Sequence, residues 1–175
     1  MNNNFITKCE EIFEKKCYHI IDQNKKSIYE KSTNFKLSEE MIYIIENYEG
    51  VFIKENYGFV SENISTFADE NGFESLNYFL GFNDKYNLFS EFNKYKEQLP
   101  SGYIPIATLD GGNLICMDHQ GYVYIWLHDE QEEKSLFLAN RSFEQFIFSI
   151  KKESSKNKKI NVDNAVFTFA EDFWD

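Results

Sequence analysis

Cysteine is scarce in this chain of 175 residues: Cys9, Cys17 and Cys116 are the whole supply, and no two of them have ligand-like spacing. A disulfide framework and a thiolate zinc centre are therefore poor explanations of its stability. Buried free thiols are expected instead, which favours a reducing compartment. No apolar stretch is long enough to span a membrane. No N-terminal segment combines a basic region, a hydrophobic run and a small-residue cleavage site. Together these absences predict a cytoplasmic setting. Positive charge is also in short supply, with 18 Lys and Arg against 29 Asp and Glu and a formal net charge of -11. Five lysines between Lys151 and Lys159 are the main local exception. Such a balance disfavours direct nucleic-acid binding, because a phosphate backbone needs a positive footprint. It suits a basic protein surface, since complementary fields speed encounter and discourage wrong partners.

Aromatic residues are plentiful, at 18% of the chain, and many fall at core-building intervals. Phe5, Cys9, Ile12, Phe13 and Cys17, with Ile20 as an extension, predict a first amphipathic helix. The polar stretch from Asp22 to Asn34 reads as containing a loop, with Ile28 as its anchor. Leu37, Met41, Ile44, Ile45 and Tyr48 predict a second helix, capped by Ser38 and favoured by Glu39 and Glu40 at its N-terminal end. Short strand signals follow at Val51–Ile53, Tyr57–Val60 and Tyr78–Phe82. Tyr86, Phe89, Phe92, Tyr95 and Leu99 form another helical stripe, which Pro100 ends.

From Tyr103 the period changes to two. Ile104 and Ile106 share a strand face. Leu114 and Cys116 lie opposite Ile115 and Met117, and Val123, Ile125 and Leu127 lie opposite Tyr122, Tyr124 and Trp126. Large apolar groups on both faces predict the covered centre of a sheet. Turns at Asp110–Asn113 and Asp118–Gly121 make a meander the natural connection, and Ser135–Ala139 supplies a further strand. Ser142 and Gln145 then form a capping box for a helix packed through Phe143, Phe146, Ile147 and Ile150. Lys151 and Lys152 are expected at its C-terminal end, in favour with the helix dipole. Val166, Phe167 and Phe169 suggest a last strand within a peripheral tail at 161–175, whose Phe173 and Trp174 could cover this core or enter a partner. The fold class is α+β, a central, mainly antiparallel sheet with flanking helices, expected as a single domain over 1–175.

Catalytic constellations are weak. Gly111-Gly112 leads into a strand, so a hairpin turn explains it better than a phosphate loop, with Asp110 and Asn113 satisfying turn backbone groups. His119 and His128, beside Asp118, Asp129 or Cys116, lack any zinc-like pattern. His19 is explained by a dipole contact at the end of the first helix. Cys116 sits between Ile115 and Met117 with no His placed against it, and Ser142 already has a capping role. No catalytic residue, metal ligand or cofactor-binding residue is assigned, and an enzyme is the weaker reading.

An interaction surface is chemically easier. Asp69 and Glu70, with Glu74, make one acidic loop beside Phe73. Glu130, Glu132 and Glu133 make another after the third strand of the meander. Either set could receive Lys or Arg while a neighbouring ring supplies an anchor.

The stretch Leu99-Pro100-Ser101-Gly102-Tyr103-Ile104-Pro105-Ile106-Ala107 resembles the SUKH superfamily, as do Gly111–Asp118, Val123–Asp129 and Ala139–Phe146. Weaker agreement is found at Leu37-Ser38-Glu39-Glu40 and Phe79-Leu80-Gly81-Phe82, so the resemblance covers most of 37–150. Ser38 and Thr108 depart from the residues usual at their places, and Glu49-Gly50 is a less Gly-rich helix ending. The superfamily takes in fungal cell-wall assembly regulators and bacterial immunity proteins. The resemblance implies an α+β scaffold without an active site, and an immunity protein that neutralises a cognate toxin, often a nuclease, by direct binding. The alternative it leaves is a regulatory adaptor. On this reading Asp69, Glu70, Phe73, Glu130, Glu132 and Glu133 are the partner-binding candidates.

Overall fold

The computed structural model describes residues 1–131 and 134–153. Helix α1 (Asn3–Ile12) starts at Asn2, whose side chain accepts the Asn4 N–H at 3.0 Å, and it buries Phe5, Cys9 and Ile12. It stops sooner than its apolar stripe suggests. Phe13 is already extended and bridges Ile53, while its ring stacks on Tyr48. The chain then crosses the end of a later helix: the Cys17 and His19 N–H groups donate to Asn47 and Glu46 carbonyls, each at 2.7 Å. His19 therefore serves the C-terminal turn of that later helix rather than α1, and Ile20 is 98% exposed. Those open carbonyls accept donors that water would otherwise supply.

Residues 23–33 also differ from expectation. They form helix α2 (Gln23–Thr33), with the Asp22 carboxylate accepting the Asn24 and Lys25 N–H groups at 2.8 and 3.3 Å. Its anchor is the fully buried Tyr29, whereas Ile28 is exposed. Asn34, in the left-handed region at φ 53°, ends it. Helix α3 (Glu39–Tyr48) matches its stripe, with the Ser38 hydroxyl accepting the Met41 N–H at 3.2 Å.

Strands β1 (Tyr57–Val60) and β2 (Phe73–Ser75) pair antiparallel. The next pairing unit begins with β3 (Tyr78–Phe79), shorter than the apolar run to Phe82; Val51–Ile53 contributes bridges rather than a strand. Helix α4 (Leu88–Tyr95) opens at Asn87, whose side chain accepts the Phe89 and Ser90 N–H groups. Strands β4 (Tyr103–Thr108), β5 (Leu114–Asp118), β6 (Val123–Trp126) and β7 (Leu136–Asn140) then run as the expected meander, giving the antiparallel order β3-β4-β5-β6-β7. Helix α5 (Phe143–Ser149) is capped by Ser142, which accepts the Gln145 N–H at 3.1 Å. Lys151 and Lys152 do not extend this helix. They form β8 (Lys151–Lys152), which joins β1 to make a second sheet of order β2-β1-β8. The suggested strand at Val166–Phe169, and the rest of the 161–175 tail, lie outside the described residues.

The alternation in the meander sorts two cores. Ile115, Met117, Val123, Ile125 and Leu127 face the main core with α1, α3 and α5. Leu114, Cys116 and Trp126 face the opposite way, against Tyr95 and Leu99. Burial of both sheet faces follows directly from apolar groups at successive positions.

Candidate functional site

The β4–β5 hairpin organises one end of the five-stranded sheet. Gly111 and Gly112 take φ values of 69° and 82°, a region in which a side chain is strained. Asp110 and Asn113 do not close their own turn with their side chains. Asp110 Oδ1 accepts from the Asn77 amide at 3.0 Å, and Asn113 Oδ1 accepts the His128 N–H at 3.3 Å. The hairpin is thereby tied to the approach to β3 and to the end of β6. His128 packs beside Gly112 and its Nε2 stands 3.0 Å from the Asp129 carboxylate. Asp129 and Glu130 are exposed.

The β1–β2 loop reaches the same hairpin. Asp69 Oδ1 accepts the Asn71 and Phe73 N–H groups, both at 2.8 Å, which shapes the turn and leaves Glu70 exposed. Phe73 is half-buried, its ring across Gly58. Phe67 comes next to Gly111: a Cβ there would stand 3.5 Å from the ring. Two segments far apart in sequence thus meet one hairpin, Phe67 at Gly111 and His128 at Gly112, and each carries acidic residues one to three positions further on. Glu132 and Glu133 lie outside the described residues.

Glu74 does not belong to this surface. The residue is only 3% exposed, and Ser61 Oγ donates to its Oε1 at 3.3 Å. Burial pushes the carboxyl above its ordinary range, against the opposing pull of Ser65 and Ser61. Two side chains that pattern reasoning passed over stand out instead. Ile64 and Phe67 are 60% and 42% exposed. Their signal in the sequence is faint: apolar residues three apart in a Ser, Thr and Asn loop with no neighbouring stripe.

The other end of the sheet holds His119, tilted over Phe35 with ring centroids 5.5 Å apart. Two open clefts of about 330 and 350 Å³ meet at it, one beside Pro100 and Tyr103, the other beside Lys36 and Phe143. The Asp118–Gly121 turn is closed by Asp118 Oδ1, which accepts the Gln120 and Tyr122 N–H groups at 2.9 Å. Cys116 is completely buried and its thiol is pushed up by burial, while Cys9 is pushed up to about 12 for the same reason. A buried, protonated thiol is a poor nucleophile. Cys17, expected to be buried, is half-buried, with Sγ 3.0 Å from His19 Nε2. Among the described residues no group of three or more His, Cys, Asp or Glu is arranged to hold a metal. No helix among them is long and apolar enough to cross a membrane.

A helix-flanked antiparallel meander defines a protein of the α+β class. The model of the SMI1 / KNR4 family (SUKH-1) matches residues 21–149, and the chain belongs to that family. The match begins ahead of Leu37 and takes in α2. The chain is also similar to the SPbeta prophage-derived uncharacterized protein YokK of Bacillus subtilis (strain 168), 40% identical over 70 residues. That alignment covers 39% of this chain and 36% of the relative, so about a third of the relative's length is spanned.

Proposed function

We propose that this chain is an immunity protein that binds a cognate protein toxin stoichiometrically and neutralises it, acting in the cytoplasm without a cofactor or a bond-breaking step. The toxin is a nuclease with a basic substrate-binding face, and the acidic end of the sheet covers or displaces that face. What supports this reading is that Phe67 and His128, from the loops that carry Asp69–Glu70 and Asp129–Glu130, both reach the Asp110–Asn113 hairpin, in a chain of net charge -11. A nuclease must present positive charge to phosphate, and such a surface is what these carboxylates complement. Asp69, Glu70, Phe73 and Glu130 are the contacts assigned, with Glu132 and Glu133 continuing the second acidic segment. Exposed carboxylates at a rim act mainly on encounter rate and partner choice.

The test is co-purification with the product of the neighbouring gene, followed by a toxicity rescue assay. A stable one-to-one complex with rescue supports immunity. Binding without rescue favours a regulatory adaptor, and substrate turnover by the purified chain favours an enzyme.

A further inference from the structure

The Ser61–Gly72 loop is pinned along its length. Its Glu62 and Asn63 N–H groups donate to the Ala139 and Leu138 carbonyls on the edge of β7, at 3.1 and 2.9 Å. Ser61 and Ser65, on either side of Ile64, both face the buried Glu74 carboxyl. Phe67 N–H donates to Ser65 Oγ at 3.1 Å, and Asp69 Oδ1 holds two further N–H groups. Ile64 rests on Gly72, where a Cβ would stand 3.1 Å from its Cδ1, and Phe67 rests on Gly111. A buried carboxylate is costly, yet here it fixes a loop that presents two apolar side chains to solvent. Stability alone would favour the reverse arrangement, with an apolar residue inside and polar residues outside. On the same loop Asp69 and Glu70 are exposed beside the pair, while the Glu62 carboxylate is taken by Arg141, whose Nε donates to it at 3.1 Å.

We propose that Ile64 and Phe67 are the apolar anchor of this face, and that they seat a basic protein segment in which an apolar side chain is bracketed by lysines or arginines. This rests on the docking reading above and adds what the partner must carry at the centre of the contact. A loop already held in place loses little freedom on binding, so its apolar contact is retained as affinity. Acidic side chains around it select the charge of the segment.

The full chain carrying Ile64→Ser and Phe67→Ser together tests the anchor against the purified toxin of the neighbouring gene. Binding is expected to weaken about 30-fold, chiefly through faster dissociation, the size of loss seen for a buried anchor. The salt dependence of binding should stay that of the unaltered chain, since no charge is removed. Undiminished binding by this variant, while Glu70→Lys with Glu130→Lys binds weakly, overturns the anchor and leaves the acidic face standing. Failure of the unaltered chain to bind the toxin overturns the docking reading. The anchor is then decided by titrating the chain with the peptides Lys-Lys-Phe-Lys-Lys and Lys-Lys-Gly-Lys-Lys. Amide shifts at Ile64, Phe67 and Gly72 with the first peptide alone uphold it; equal shifts with both, or none, overturn it.

Discussion

Phe13 stacks on Tyr48 with ring centroids 4.2 Å apart and planes 13° from parallel. This contact sits where α1 stops and the chain turns toward the end of α3, and Phe13 also meets Phe79 at 5.8 Å. Phe13→Ala is expected to cost about 3–4 kcal/mol, as for other buried rings removed from a packed core. Urea unfolding followed by circular dichroism measures it. A loss under about 1 kcal/mol would show that the neighbouring rings close the gap.

Tyr29 offers a gain instead of a loss. Its ring makes edge contacts to Phe82 and Phe89, at 5.8 and 5.1 Å, but its buried hydroxyl has no hydrogen-bond partner among the described residues. Tyr29→Phe keeps the ring and removes the unsatisfied polar group, so stability should rise by about 1 kcal/mol. A midpoint shifted downward in urea would mean that the hydroxyl is satisfied in solution.

Glu74 gives a pH dependence of defined sign. Its carboxyl is held above the ordinary glutamate range by burial. The folded state therefore binds this proton more tightly than the unfolded state does. The resulting stability is fully present below the unfolded value and is lost as pH rises through the higher folded value. Glu74→Gln should abolish that slope, matching or exceeding the parent at pH 7. Urea midpoints collected between pH 4 and pH 8 for both proteins decide this, and parallel curves would rule it out.

Glu70 and Glu130 are exposed. Glu70→Lys with Glu130→Lys should leave stability within about 0.5 kcal/mol. Association with a basic toxin should slow by roughly 10-fold at low salt and approach the parent rate at high salt. Stopped-flow association rates across a salt series provide the check. A salt-independent defect would point to lost packing.

The meander was legible because its alternation and its Gly-containing turns are local signals, and β4 to β7 fall where these signals stand. Helix α2 was hidden because its single fully buried ring, Tyr29, leaves no apolar stripe to read. The overrun of α1 has the opposite cause. Cys17 continues the stripe, but Phe13 is claimed by Tyr48 and Ile53, and tertiary contacts override the period. Glu74 was misplaced because charge implies exposure, while strand alternation turns Phe73 partly outward and Glu74 in. The approach of Phe67 to Gly111 depends on the whole fold, so no local pattern announces it.

Both borders of the five-stranded sheet are already taken. Gly50 and Ile53 donate along the β3 side, to Phe79 and Asn77, and Glu62 and Asn63 occupy β7. Among the described residues, main-chain donors thus occupy these border positions in place of a visiting strand. On the docking reading proposed above, a partner meets this sheet through side chains on its connecting segments, so those segments can be altered to change the contact while the scaffold stays as it is.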